Sequence, residues 1–162
     1  MTLSVGTDSY ISIADADAYW ANRNNGTWAN AAQPQKEKAL REATQFIDGA
    51  YEFIGQHPGP SSQLLAWPRN NAIVKSGNLK GVQFTGIPEP VKDATAELAL
   101  EALDERLRPS QDRGGAVKRE KVDVIEVEYM GFAPGDKTFS FVTMLLKPLL
   151  SGTPNTVNLV RT

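Results

Sequence analysis

Apolar and polar positions alternate along most of the chain with a helical period, and one stretch breaks that rule. In residues 33–55, Ala39, Leu40, Ala43, Ile47, Ala50, Tyr51 and Ile54 recur at i, i+3, i+4 spacing, and Phe46 widens the stripe. This predicts an amphipathic helix with Pro34 in its first turn and Gly55 and Pro58 at its end. Lys36, Glu37, Lys38, Arg41, Glu42 and Glu52 fall mostly off the stripe and are expected in solvent. A second periodic run, Pro90 to Leu107, is roughly 27 Å long as a helix. It carries two apolar lines: Val91, Ala94, Leu98 and Ala102, and Leu100, Leu103 and Leu107. Two lines predict contact on two sides. A shorter helix is expected over residues 12–23, with Ser12 as N-cap, Asp15 three positions on, and a small face of Ala14, Ala18, Tyr19 and Trp20. A fourth, within residues 136–152, carries Phe139, Val142, Leu145, Leu146 and Leu149 until Pro148 kinks or ends it.

Between the second and third helices lies a long connection, residues 56–89, rich in Gly, Pro, Ser and Asn. A loop of this length is uncommon unless it is functional or tied down. "LLAWPRNN" is the expected tie, with Trp67 as the core anchor and Pro68 holding it extended. The stretch that breaks the helical rule is "DRGGAVKREKVDVIEVEYMG", which reads as β-strand but changes phase. Val122 and Val124 fall on even positions, and Ile125, Val127 and Tyr129 on odd ones. Either residues 116–121 and 125–129 form a hairpin turning near residues 122–124, or one strand carries a bulge at Val124-Ile125. Pairing a basic arm (Lys118, Arg119, Lys121) with an acidic arm (Glu126, Glu128) favours the hairpin. The β-branched Val124 disfavours a tight primed turn, so a loose one is expected.

Composition narrows the function. The 162 residues are 41% hydrophobic and carry a net charge of −2, so no global charge draws the chain to nucleic acid or an anionic membrane. No cysteine is present and His57 is the only histidine, which argues against thiolate chemistry, His-rich metal sites and Ser-His-Asp triads. No apolar run approaches the roughly 20 residues that span a membrane. The N-terminus lacks the basic and apolar regions of a signal peptide. Asp15 and Asp17 could ligate a metal, but acids in a first helical turn are better explained by capping and the helix dipole. Glu97 and Glu101 share a helical face, and a solvated stripe explains them better than acid–base chemistry. The cluster Lys118, Arg119 and Lys121, with Arg113 nearby, lacks interleaved aromatics and is followed by acids, so it does not form a stacking platform. No phosphate-binding glycine motif occurs. The expectation is a mainly α protein that is not an enzyme and uses no cofactor. It should be a small bundle of about four helices with one β-hairpin. Residues 1–152 would form one domain, with the hairpin near 116–130, and residues 153–162 an extended tail.

Five segments in order, "SYISIADADAYWANR", "ALREATQFID", "LLAWPR", "IPEPVKDATAELAL" and "DRGGAVKREKVDVIEVEY", resemble a family of tailed-phage proteins labelled DnaT-like single-stranded DNA-binding proteins. More distantly they resemble the head–tail connectors of long-tailed phages. The resemblance covers about residues 9–150. Where the family usually has a glycine in the hairpin turn, this chain has Asp123.

The connector resemblance implies a structural virion protein of the phage neck, assembled in the host cytoplasm. It would be a homo-oligomeric ring, commonly of twelve copies, between the portal protein and a tail-side neck or tail-terminator protein. Genomic DNA would pass through it without sequence-specific binding, and no membrane would be involved. Lys118, Arg119, Lys121, Glu126 and Glu128 would then serve the subunit interface. The tail residues Val157, Asn158, Leu159, Val160 and Arg161 would attach to the portal, either adding as a strand to the neighbouring ring or docking on it. The DnaT-like label implies the alternative, a single-stranded-DNA-binding module of phage replication.

Overall fold

A computed structural model describes residues 3–59, 63–75, 77, 79–107 and 139–151, and the backbone of residues 119–122 and 125–128. Among these residues the chain is mainly helical. The order is α1 (Ile13–Ala21), α2 (Gly26–Asn30), α3 (Gln33–Ala50), β1 (Ala72–Ile73), β2 (Gln83–Phe84), α4 (Glu89–Asp104), β3 (Arg119–Val122), β4 (Ile125–Glu128) and α5 (Ser140–Leu146). A 3-10 turn, Lys147–Leu149, follows α5. Two compact units result: Arg108–Thr138, and the helical body built from the chain on either side of it.

The helical body is organised around α3 and α4, which pack on each other, with α5 and α1 also against α4. Ala39, Leu40, Ala43 and Ile47 of α3 are buried, as are Val91, Ala94, Leu98 and Ala99 of α4. The second apolar line is partly covered at Leu100 and Leu103, while Leu107 is buried beyond the end of α4, which stops at Asp104 and not at Leu107 as expected. Thr44 and Thr95 lie in this core as well. Each hydroxyl donates to the carbonyl one turn back, Leu40 O at 2.9 Å and Val91 O at 2.7 Å, so neither is left unpaired.

Several local expectations are corrected. The face of α1 is Ile13, Ala16 and Trp20, while Ala14 and Ala18 are exposed. Ser12 caps α1 as expected, accepting from Asp15 N–H at 3.0 Å. The five-residue α2 is capped by Asn25, which accepts from Trp28 N–H at 3.0 Å. Lys36 is not in solvent. Its ammonium donates to Asp17 Oδ1 at 2.8 Å, and the same oxygen accepts from the Trp28 indole N–H at 2.7 Å. Asp17 therefore pins α1, α2 and α3 together. Partial burial, 11% exposure for Lys36 against 46% for Asp17, makes this pair stronger than an ordinary surface ion pair.

Helix α3 stops at Ala50, earlier than its periodicity suggests. Tyr51 is extended, and Phe53 pairs antiparallel with Leu150. Ile54 N–H donates to Leu149 O at 2.8 Å and Ser151 N–H to Glu52 O at 2.9 Å, so Phe53 and Ile54 are buried by a bridge to the 3-10 turn. Gly55 then turns the chain at φ +80°, and Gln56 pairs with Asn70 through bonds of 2.7 and 2.9 Å. A Cβ on Gly55 would lie 2.7 Å from the Asn70 carbonyl and 2.9 Å from Ala72 Cα. Gly55→Ala is therefore expected to cost about 1–3 kcal/mol, measured by denaturant unfolding; an unchanged midpoint would contradict this close approach.

Candidate nucleic-acid interface

The long connection has a distinctive charge. From Phe53 to Pro88 there is no aspartate or glutamate, although the whole chain has 19 of them. The same stretch holds Arg69, Lys75 and Lys80, together with His57. A chain that is acidic on balance thus has one long segment that is only cationic.

Side chains from elsewhere fix the start of this segment. The Tyr10 hydroxyl donates to Asp48 Oδ1 on α3 and accepts from Trp67 N–H at 3.2 Å. The other oxygen of Asp48 accepts from Ala66 N–H at 3.1 Å. Two backbone donors of the connection, one buried and one part-buried, are thereby satisfied by one tyrosine–aspartate relay. Trp67 is fully buried, edge-on to Phe53 at 5.6 Å, and precedes a cis peptide bond to Pro68. Burial raises the Tyr10 phenol well above its ordinary value, with the Asp48 charge adding to the effect. Burial also raises the Asp48 carboxyl above its usual 3.8, outweighing the hydrogen bonds from Tyr10 and Ala66 that favour its anion.

His57 and Arg69 serve the same end. Gly59 N–H donates to His57 Nδ1 at 3.0 Å, so Nε2 carries the proton that faces Leu65 O at 3.0 Å. Arg69 spends its donors on carbonyls: Nε on Ile54 O at 2.9 Å, Nη2 on Gly55 O at 3.1 Å and Nη1 on Ala66 O at 3.4 Å. Both residues staple the connection to itself and to the end of α3.

Beyond this anchorage the chain rises into a hairpin that the sequence pattern did not reveal. Ala72 pairs with Phe84 and Ile73 with Gln83, antiparallel. Val74 N–H donating to Val82 O at 2.9 Å, and Gly81 N–H to Val74 O at 2.8 Å, extend the ladder. Ala72 and Val74 point into the core, so the strand period of two turns Ile73 and Lys75 outward. Lys80 is exposed too, and exposed apolar side chains flank the lysines: Ile73 (44%), Leu79 (38%) and Val82 (41%). Several cations of the helices are paired, although Lys38 of α3 is not among them. Lys36 pairs with Asp17, Arg41 with Asp8 and Glu37, and Lys92 with Glu89. Lys75 and Lys80 form no ion pair among the described residues.

The second unit holds the basic cluster singled out from sequence. Its strands pair Arg119 with Glu128, Glu120 with Val127, Lys121 with Glu126 and Val122 with Ile125. The pairing is that of a hairpin and not of one bulged strand; the turn residues Asp123 and Val124 lie outside the described residues. Register sets a cation position opposite an acid position twice. Lys118 and the tail residues Val157, Asn158, Leu159, Val160 and Arg161 lie outside the described residues. On α4, Glu97 accepts from the Tyr19 hydroxyl at 2.6 Å, and the Arg23 guanidinium stacks 3.4 Å over the Tyr19 ring. Glu97 is thus a tie to α1. Among the described residues, no three histidines or acids gather as metal ligands, and no helix is long and apolar enough to cross a membrane.

A family model described as "Putative DnaT-like ssDNA binding protein" matches residues 2–162. No curated protein and no solved structure matches the chain. The family match corrects the expected partners. A conduit through which DNA passes unbound conflicts with a family described as binding single strands. Nothing supports the ring of twelve copies, the portal protein or a tail-side neck or tail-terminator protein. The expectation failed physically because net charge was taken as the guide, whereas three of the cations lie in a long segment that holds no acid.

The relay makes a signed prediction. The folded state holds the Asp48 proton at pH values where the unfolded chain has released it. Its contribution is therefore fully present below 3.8 and is lost as pH rises through the elevated folded value. Relative to Asp48→Asn, the natural chain should lose stability as pH rises from below 3.8, measured by denaturant unfolding. A difference that moves the other way would contradict the buried placement of Asp48.

Proposed function

The chain belongs to the family of DnaT-like ssDNA binding proteins, and on that premise we propose that it is a non-enzymatic module that binds single-stranded DNA. The observation that carries this reading is the family match across residues 2–162. The charge layout supports it. A polyanion responds to the local density of unpaired cations, and a net charge of −2 spread over other elements does not cancel a segment free of acids. Exposed apolar side chains beside the lysines suit a single strand more than a duplex. Unstacked bases offer their faces, and contact with those faces is tolerant of sequence. Binding of this kind fits a role in phage replication, where single strands are transiently exposed.

Anisotropy of a labelled oligonucleotide of about 20 nucleotides, longer than the roughly 4–16 covered by a small module, tests the reading. Binding should appear at low salt and weaken linearly in log–log form between roughly 50 and 200 mM, with a slope of about −0.7 for each phosphate neutralised. A flat anisotropy at the lowest salt and highest protein concentration would remove it.

A further inference from the structure

We propose that the outer end of the β1–β2 hairpin is the surface that contacts single-stranded DNA, with Lys75 and Lys80 on phosphates and Ile73, Leu79 and Val82 against bases. This rests on the single-strand-binding reading and adds the place.

Four observations converge on this end of the hairpin. Lys75 and Lys80 are exposed and without ion pairs among the described residues, so engaging phosphates breaks no contact in the body. The backbone ladder joins their neighbours directly, since Val74 exchanges bonds with Gly81 and Val82. The two lysines therefore sit on facing arms of one element. No acid occurs in the 36 positions from Phe53 to Pro88, so the same chain segment supplies no repelling carboxylate. Three large apolar side chains are exposed on this same short element, which is an unfavourable arrangement in water. Apolar contact with the faces of unpaired bases would cover them.

Position along the chain adds to the case. The hairpin is held from below by Ala72 and Val74 in the core and by Arg69 clamping the chain that enters it. Its outer residues therefore project from an anchored base, and a contact there costs less ordering than one made by a free loop. The cluster at Arg119 and Lys121 is the poorer candidate, because the register of β3 and β4 sets each opposite a glutamate position.

The experiment is a salt titration of the full chain against the labelled oligonucleotide, comparing the natural sequence with Lys75→Gln/Lys80→Gln and with Arg119→Gln/Lys121→Gln. Thermal unfolding of each checks that the body is intact. The first variant is expected to bind at least about tenfold more weakly near 50 mM salt, with the log–log slope reduced in magnitude by about 1.4, two phosphates' worth. The second should keep the natural slope. If the natural chain binds but the Lys75/Lys80 variant matches it, the location is wrong and the single-strand reading stands. If the natural chain does not bind at all, the reading itself fails and the location with it. Lysines beside apolar side chains also suit an anionic membrane surface. Vesicles of anionic phospholipid are therefore run in parallel, and vesicle binding lost in the first variant while its oligonucleotide binding is unchanged would overturn the proposal.

Discussion

The bond between the Tyr10 hydroxyl and Asp48 decides where the long connection runs. A connection of more than thirty residues brings many backbone donors and acceptors that must be paired or left in water. Here Tyr10 and Asp48 take the N–H groups of Ala66 and Trp67, at the point where the connection crosses the core. Losing either partner would strand a buried polar group, at about 1–3 kcal/mol. With Trp67 seated against Phe53, the next residues have little choice. Arg69 reaches back to the carbonyls that follow α3, Asn70 pairs with Gln56, and the chain enters β1 with Ala72 in the core. The outward hairpin is thus a consequence of a buried relay some residues earlier.

That geometry converts a neutral-looking composition into a segregated one. Several acids of the helical body are engaged in holding its parts together. Asp17 joins three helices, Glu97 ties α4 to α1, and Glu42 accepts from Leu107 N–H at 2.9 Å where the chain leaves α4. The hairpin has no acids to engage. An exposed cation with no partner keeps its hydration and its field until an anion arrives, which is the state a counterion-releasing contact starts from. Net charge is a poor guide to such a surface, because it averages over elements that never meet the ligand.

Legibility followed element length. Helices α3 and α4 were plain in the sequence because eighteen and sixteen residues display several turns of apolar period. The end of α3 was not, since Tyr51 and Ile54 continue the spacing although Tyr51 is already extended and Ile54 is buried through its bond to Leu149. Helix α2 is too short to show a period, and only Asn25 three positions before Trp28 marks it. Strands β1 and β2 have two residues each, below any periodic signal. What was present but unread was charge, namely 36 residues with three cations and no acid. The denser basic cluster at Lys118, Arg119 and Lys121 is the more visible one in sequence, but Arg119 and Lys121 are set opposite glutamate positions. The burial of Lys36 was likewise hidden, because its partner Asp17 is nineteen residues away and meets it only once α1 and α3 pack.

The central claim is that single-stranded DNA meets this protein at the hairpin between Ala72 and Phe84. Photo-crosslinking with an oligonucleotide carrying a photoreactive pyrimidine, followed by mass spectrometry of the digested full chain, tests it most directly. The expected result is crosslinked peptides that include Lys75, Lys80 or Val82, suppressed by unlabelled single strand and by salt. Crosslinks confined to residues 108–138, or none above a denatured control, would contradict it.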